Sequence, residues 1–307
     1  MTHFHLRSVP RAATLEVLAD EWFDPGAAQG DLRVLIEAND GGASTVTGAI
    51  QVGFQIGKSI PRYWYYVGQV AYRSDEPMLA RKDRVLLLGN DFTGAHELYG
   101  VRVAKPDDQA LLDALLIGTL ALIPSGADVP GQAAPVVLEI PGSGHAERAP
   151  FWAGIGRHLY PHPFPELTRN AHLEWESHLA ALLPRQPLVV SLLEKDTQMA
   201  IGAPAEDAIY LRDAAVRCGF RKSRQVRICD GGPVFEAPTA LFRFAAGTAI
   251  ETSACLERGQ RCVIRTEDRR DAWIVEAERV TGGIAVAPAS ATIRDSLRDG
   301  AWAYSFY

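Results

Sequence analysis

The stretch HELYGVRVAKPDDQALLDALLIGTLALIPSG, residues 96–126, joins two kinds of secondary structure within one short segment. Its first part reads as a strand that is closed by Pro106, because proline cannot continue a hydrogen-bonded ladder. Its second part places apolar residues at helical spacing and begins at Asp107 or Asp108, either of which suits an N-cap. A strand that feeds directly into an amphipathic helix predicts an α/β unit here.

The segments on both sides of this unit extend the α/β pattern. The segments before it read as a strand, a helix and four strands: HFHLRSV (3–9), PRAATLEVLADEW (10–22), DLRVLIEAN (31–39), STVTGAIQVGFQI (44–56), RYWYYVGQVAYRS (62–74) and RVLLLGN (84–90). The segments after it read as strand, helix, helix, strand, helix and strand: APVVLEIPG (134–142), APFWAGIGRHLY (149–160), ESHLAALLP (176–184), QPLVVSLL (186–193), AIYLRDAAVRCGF (208–220) and RQVRICDGG (224–232). From about Pro238 only short strands follow. We therefore predict an α/β (α+β) protein with two blocks, residues 1–130 and 131–237, and a small β-rich domain, residues 238–307.

Composition narrows the classes of function. The 307 residues are 47% hydrophobic and carry a formal net charge of −6, which argues against a nucleic-acid partner held by phosphate neutralisation. No run approaches the roughly 20 apolar residues of a membrane span, and the N-terminal segment lacks the apolar region of a signal peptide. Four cysteines without paired spacing predict no metal site. These features indicate a cytoplasmic protein with no membrane or nucleic-acid partner.

The stretch VRICDGGPVFEAP, residues 226–238, permits two interpretations of Asp230. Glycine supplies positive φ and proline fixes the exit from a turn, so Asp230 can form an Asx-type hydrogen bond in a hairpin. Alternatively, we expect its strand to lie beside the strand of Glu139, so that both carboxylates face one cavity and attract a cationic ligand. The residues alone leave both interpretations open.

Five separated segments occur in the order found in a known family. They are GNDFTGAHEL (89–98), PFWAGIGRHLY (150–160), LLPRQPLVVSLL (182–193), AIGAPAEDA (200–208) and GFRKSRQVRICDGGPVFEAP (219–238). In these segments the chain resembles the arginine N-succinyltransferases, which are distant relatives of the acyl-CoA N-acyltransferases called GNATs. The resemblance implies two tandem GNAT-like blocks and a small C-terminal β domain.

The resemblance also implies a reaction, the transfer of a succinyl group from succinyl-CoA to the α-amine of arginine. CoA thioester is then a co-substrate, and no cofactor is bound permanently. An amine that attacks a thioester needs a proton acceptor, donors for the oxyanion and an acid for the departing thiolate. Folds of this type offer the pantetheine arm a splayed strand, and a helix N-terminus receives the pyrophosphate.

Some residues of the family pattern are present in this chain, and others are replaced. Val101 stands where the family contacts succinyl-CoA, and Lys105 is the sole cation of the expected phosphate loop. The family histidine read as the general acid is replaced by Ala205, so the nearest carboxylate, Glu206, becomes a catalytic candidate together with Asp230. The remaining charged motif residues are candidates for substrate binding: Asp91, Glu139 and Arg157.

Two hypotheses follow from these departures. In the first, the chain is an N-acyltransferase that acts on an amino acid related to arginine. In the second, it is a catalytically silent homologue that assembles with an active paralogue, and Ala205 together with the acidic phosphate loop favours this alternative. Both hypotheses include a homo- or hetero-oligomer.

Overall fold

The computed structural model of the chain describes residues 3–9, 22–23, 31–40, 43–76, 78–123, 134–144, 148–160, 162, 169–238, 249–252, 260–266, 268–280, 283–286 and 301–305. Its strands are β1 (His3–Val9), β2 (Leu32–Asp40), β3 (Ala43–Gly53), β4 (Trp64–Asp75), β5 (Met78–Gly89), β6 (His96–Val103), β7 (Pro135–Glu139), β8 (Leu188–Val189), β9 (Arg221–Arg227), β10 (Pro233–Pro238), β11 (Ala249–Thr252), β12 (Gln260–Thr266), β13 (Asp271–Val280), β14 (Gly283–Val286) and β15 (Ala301–Ser305). Its α-helices are α1 (Gln109–Leu122), α2 (Arg157–Leu159), α3 (Arg169–Leu182), α4 (Lys195–Ala200) and α5 (Ile209–Arg217). A π-helical turn, Trp152–Gly156, precedes α2, and 3-10 turns cover Val190–Leu192 and Glu206–Ala208.

The described strands form one mixed sheet. Its order is β11-β14-β13-β1-β2-β3-β6-β7-β10-β9-β4-β5-β8, with β12 paired to β13 and β15 paired to β12. Only β6–β7 and β11–β14 run parallel within the described chain. The α/β class is therefore confirmed, and strands of both expected blocks share this sheet because β7 pairs with β6 and the β4–β5 hairpin pairs with β9. The three-part division of the chain stays a prediction.

Helix α1 is the central helix of the main core. Asp108 caps it by accepting a hydrogen bond from the backbone N of Leu111 at 3.0 Å, so the predicted helix start is confirmed. From Ala114 to Leu122 every residue is buried, because this helix packs against the sheet on one side and against α5 on another. The same core also contains Leu98, Leu138 and Phe235 from the central strands.

Several local predictions can be compared with the structure. The helix predicted over residues 10–22 lies almost entirely outside the described residues. The predicted helix near residue 150 is present, but it widens into the π-helical turn, where Gly154 and Gly156 allow the close approach of Thr197 and Trp152. The strand predicted over residues 186–193 shortens to β8, because β8 is an edge strand that pairs with β5 at only two positions. Helix α4 was not predicted.

The β-rich C-terminal strands attach to the start of the chain. Strand β13 pairs antiparallel with β1, and the ring of His5 stacks on Trp273 with centroids 5.0 Å apart. A small separate core includes Cys262, Ile264 and Val275. Among the described helices, none has the length and apolar character needed to cross a membrane.

Candidate functional site

The parallel strands β6 and β7 pair along only part of β6. They pair only from His96↔Val136 to Leu98↔Leu138, although β6 continues to Val103. The register between β3 and β6 shifts beyond Tyr99, and Gly100 there has a φ of +60°. An extra residue with positive φ is a β-bulge, and a bulge bends its strand. The pairing of β6 with β7 therefore ends at the bulge, directly before α1, and we call the edge of β6 beyond Leu98 that has no β7 pair among the described residues the opening.

A buried ion cluster lies on the sheet beside this opening. Arg62 donates two hydrogen bonds to Glu97, at 3.0 and 3.2 Å, and a third to Glu139 Oε1 at 2.8 Å. Trp64 Nε1 donates to the same Glu139 oxygen at 2.7 Å, and the Arg62 guanidinium lies over the Trp64 ring. Only 5% of the Arg62 side chain is exposed, so the protein itself supplies the counter-ion of both carboxylates.

A second arginine joins Glu139 to the Asp-Gly-Gly-Pro turn. Arg227 Nε lies 3.3 Å from Glu139 Oε2, and its Nη1 lies 3.1 Å from Asp230 Oδ2. The other Asp230 oxygen accepts a hydrogen bond from the backbone N of Gly232 at 2.9 Å, which is the Asx-type turn. Strand β10 lies between the strands of Asp230 and Glu139, because the hairpin folds β10 against β7. The expectation that those two strands are neighbours was therefore wrong.

We call the five residues Arg62, Glu97, Glu139, Arg227 and Asp230 the charge network. Burial opposes the charge of both arginines, but the surrounding carboxylates outweigh burial and raise their pKa values. Burial raises the pKa of Glu139, and Arg62 partly offsets this effect. The network is thus held together by desolvated pairs, which are costly to break on one side only.

Three further polar side chains meet beside the charge network. Cys229 Sγ donates to Glu176 Oε1 at 3.0 Å, and His172 Nε2 lies 3.4 Å from the same oxygen. Burial opposes ionisation of Glu176, but the hydrogen bond from His172 and the charges of Arg62 and Arg227 lower its pKa to about 2. Burial and Glu176 raise the pKa of the Cys229 thiol. The His172 nitrogen, the Glu176 oxygen and the Cys229 sulfur lie within 4.8 Å of one another. The spacing of the cysteines did not indicate this grouping.

The residues expected to contact the acyl thioester lie along the opening between β6 and β7. Val101 is half-buried on the diverging part of β6. Lys105 is exposed just before α1, and its carbonyl accepts a hydrogen bond from the backbone N of Asp108 at 3.1 Å. The side chain of Asp108 already caps the helix, so one N-terminal N–H is used internally.

The other predicted residues have different surroundings. Ala205, at the family's histidine position, donates its backbone N–H to the Pro141 carbonyl at 2.8 Å, directly after β7. Glu206 follows it, exposed, on the first turn of a short 3-10 helix. Asp91 is exposed in the turn before β6, and Arg157 is exposed at the start of α2. The structure therefore brings Glu139 and Asp230 together through Arg227, whereas these three candidates are surface residues.

Sequence reasoning missed Arg62, Glu97, Glu176 and Arg227. The pairs of Arg62 with Glu97 and Glu139, and of Arg227 with Glu139, join residues far apart in sequence, so no local spacing reveals them. Only His172–Glu176 and Arg227–Asp230 have local spacing, at i,i+4 and i,i+3. One usable signal was present, since Arg62 and Glu97 are charged residues next to aromatic and aliphatic strand segments. A charge in such surroundings is buried only when it is paired.

Fold and site together define a class of protein. It is a mixed α/β protein in which a bulged strand, paired in parallel with β7 over three positions, leads directly into a capped helix. The family model described as arginine N-succinyltransferase beta subunit matches residues 17–244. The chain belongs to this family.

Individual relatives agree with the family assignment. The chain is 27% identical over 232 residues to the arginine N-succinyltransferase of Yersinia pestis (strain Pestoides F), covering 74% of this chain and 65% of that enzyme. It is 29% identical over 233 residues to the arginine N-succinyltransferase subunit beta of Pseudomonas aeruginosa, covering 74% and 67%. The solved structure of arginine/ornithine succinyltransferase subunit AI from Pseudomonas aeruginosa superimposes with a TM-score of 0.69 at 20% identity over 99% of both chains. The relatives' names denote an enzyme, which does not favour the catalytically silent alternative.

Proposed function

We propose that this protein is an N-acyltransferase that moves a succinyl group from succinyl-CoA to the amine of arginine or a related amino acid. The observation that carries the proposal is the opening between β6 and β7, directly followed by α1, in a chain of this family. Two parallel strands that part expose backbone amides to an extended ligand, and the pantetheine arm of CoA has that shape and carries amides of its own.

The thioester would lie along the diverging part of β6, with Val101 beside it. Beyond Leu98, β6 has β3 on one side and no paired strand on its β7 side within the described residues. The phosphates would approach the start of α1 near Lys105, the cation of that loop. Asp107 and Asp108 reduce the local positive potential there, so we expect weaker phosphate binding than at a basic, glycine-rich loop.

In the chemical step the acceptor amine attacks the thioester carbonyl, the C–S bond breaks and the CoA sulfur leaves. The proton lost by the amine must reach a carrier, and the thiolate must gain one. Glu206 is our candidate carrier, because it is exposed and follows Ala205 at the end of β7, near the opening. Asp230 suits the task less well, since one oxygen holds the turn and the other holds Arg227.

The acceptor needs a different set of contacts. Glu139 is neutralised by Arg62 and Arg227, so its carboxylate is not free to hold a substrate cation without rearrangement. The exposed Asp91 and Arg157 remain candidates for the acceptor's cationic side chain and carboxylate. Relatives that are named as subunits suggest an assembly, and we propose that this chain forms a homo-oligomer or pairs with a paralogue.

The test is a direct assay of the full chain with succinyl-CoA and either arginine or ornithine, read as released thiol and as the mass of the product. Ala205→His restores the family's proton carrier and should raise kcat by about 100-fold or more. Glu206→Gln should lower the wild-type rate at least about tenfold, while the matched control Asp207→Asn should leave it unchanged. No acylated product from wild type or Ala205→His would contradict the proposal.

A further inference from the structure

The sheet opens a second time, between β4 and β9. These antiparallel strands pair only from Trp64↔Arg227 to Tyr66↔Gln225. Strand β4 stays paired with β5 along its whole length, so the divergence originates in β9. The register of β9 against β10 shifts between the pairs Phe235↔Lys222 and Pro233↔Val226. Between these pairs β9 has more residues than β10. This bulge bends β9 away from β4.

Side-chain hydrogen bonds hold the bulge in place. Ser223 Oγ donates to the carbonyl of Val234 at 2.9 Å and accepts from the backbone N of Gln225 at 3.2 Å. The hydroxyl therefore replaces ladder hydrogen bonds that the extra residues cannot make. The opening is a fixed part of the sheet rather than a frayed strand end.

The opening forms a cavity of about 610 Å³, which we call the basic cleft. Its volume lies within the range of small-molecule sites. Three of its lining residues are cations and none is acidic: Arg84 from β5, Lys222 and Arg224 from β9, together with neutral residues such as Tyr66, Gln69 and Gly202. In a chain of net charge −6, this local excess of positive charge is opposite in sign to the whole.

The cations of the basic cleft have neutral partners. Lys222 Nζ donates to the Gly202 carbonyl at 2.7 Å, and Arg224 Nη1 donates to the Tyr66 hydroxyl at 2.9 Å. Within the described part of the chain, no carboxylate lies at ion-pair distance from Arg84, Lys222 or Arg224. Partial burial, together with the charges of Arg212 and Arg84, lowers the pKa of Lys222. Like charges gathered without a counter-ion favour the binding of an anion.

We propose that the basic cleft binds a small ligand that carries an oxyanion, of the carboxylate or phosphate type. Lys222 and Arg224 each keep N–H donors that their neutral partners do not use, and Arg84 faces them from β5. Hydrogen bonds between charged donors and an oxyanion are among the stronger polar contacts in proteins. The ligand would also touch Gly202, whose backbone N donates to the Gly231 carbonyl at 2.7 Å, so an occupied cleft contacts the segment that holds the Asp230 turn.

Titration calorimetry of the full chain at low ionic strength, first with inorganic phosphate and then with succinate, tests this proposal. We expect saturable binding of at least one probe. The double variant Lys222→Gln, Arg224→Gln should weaken binding about 100-fold, since each charged hydrogen bond is worth about tenfold or more. Arg73→Gln, which removes an exposed arginine from the far part of the β4–β5 hairpin, is the matched control and should bind like wild type.

The two probes identify the ligand type, because tighter binding of phosphate indicates a phosphoryl group and tighter binding of succinate indicates a carboxylate. Absence of saturable heat with both probes at millimolar concentration overturns the proposal, as does unchanged binding by the double variant. The titration contains neither CoA nor arginine. Lys105→Glu, in the loop proposed to bind the CoA phosphates, should leave the binding of phosphate and succinate to the basic cleft unchanged. Failure here is therefore separate from failure of the proposed acyl transfer.

Discussion

The charge network and the basic cleft differ in the partners of their cationic side chains. In the network, Arg62 is buried and Arg227 is half-buried, and both guanidinium groups face carboxylates of the same chain. In the cleft, Lys222 and Arg224 are exposed and bind only neutral oxygens. A cation whose counter-ion is internal is costly to remove by itself, whereas a cation without one is available to a ligand. The same residue types therefore serve structure in one place and recognition in the other.

The largest expected effect is from Arg62→Met. This change removes the guanidinium that pairs with buried Glu97 and leaves Glu139 with Arg227 as its cation. It should lower the free energy of unfolding by about 3–5 kcal/mol. Urea unfolding at pH 7 measures the loss, with Arg73→Met on the exposed hairpin as the control. A loss below about 1 kcal/mol would show that the network is not the stabilising unit we describe. Adding Glu97→Leu and Glu139→Gln to Arg62→Met should recover much of the stability, because both carboxylate charges are then removed while the Trp64 N–H keeps an acceptor.

The next largest effect is the change with pH in the stability that Glu176 contributes. The carboxylate has a folded-state pKa of about 2 against an ordinary value of 4.5, so it stabilises the fold above pH 4.5 and loses this contribution as pH falls toward 2. Between pH 5 and pH 2.5 the stability advantage of wild type over Glu176→Gln should shrink by about 2 kcal/mol. Denaturant unfolding of both proteins across this range provides the measurement. An advantage that stays constant with pH would contradict the assigned pKa.

A smaller effect separates the two roles of Asp230. Asp230→Ala removes both the hydrogen bond to Gly232 and the pair with Arg227, and should cost about 1–2 kcal/mol. Asp230→Asn keeps an oxygen for the turn and should cost less, so the difference between the variants measures the hydrogen bond of the turn. Thermal unfolding of the two variants measures the two losses of stability. Equal losses would mean that the ion pair with Arg227, and not the hydrogen bond of the turn, contributes the stability.

The smallest effect is expected in the basic cleft. Lys222→Met removes a cation that Arg84 and Arg212 repel, so the free energy of unfolding should change by less than about 0.5 kcal/mol, with either sign. The same urea measurement used for Arg62→Met provides the comparison. A loss above about 1.5 kcal/mol would remove the distinction between cleft and network, because Lys222 would then be a structural cation.

Periodicity and turn chemistry predicted most of the individual elements. Helix α1 and its cap at Asp108 follow from a strong apolar repeat beside a capping residue, and β7 follows from a short β-branched run before a proline. Strand β10 was not predicted. The N-terminal half of β5 was missed, because its residues from Met78 to Lys82 are exposed and carry no alternating apolar signal. Its strand conformation comes from pairing with β4 across a hairpin.

The site was less accessible to sequence reasoning than the fold. Glu139 and Asp230 were selected as candidates, but their counter-ions were not, since Arg62 lies 77 residues from Glu139. Selecting a carboxylate requires only its residue type, whereas recognising that it is already neutralised requires the three-dimensional pairing. The basic cleft could not be predicted from the sequence for a similar reason, because a bulge in β9 and a residue on β5 form it together.

The pairing of β1 with β13 has a consequence for how the protein is made. His5 and Asp271, which contact each other at 2.8 Å, are 266 positions apart, and both strands lie outside the residues matched by the family model. A ribosome that adds roughly 5–20 residues per second finishes β13 tens of seconds after β1. Until then one edge of β1 is an open template for pairing with other nascent chains. Co-translational chaperone binding to this N-terminal edge should therefore improve the yield of the folded protein.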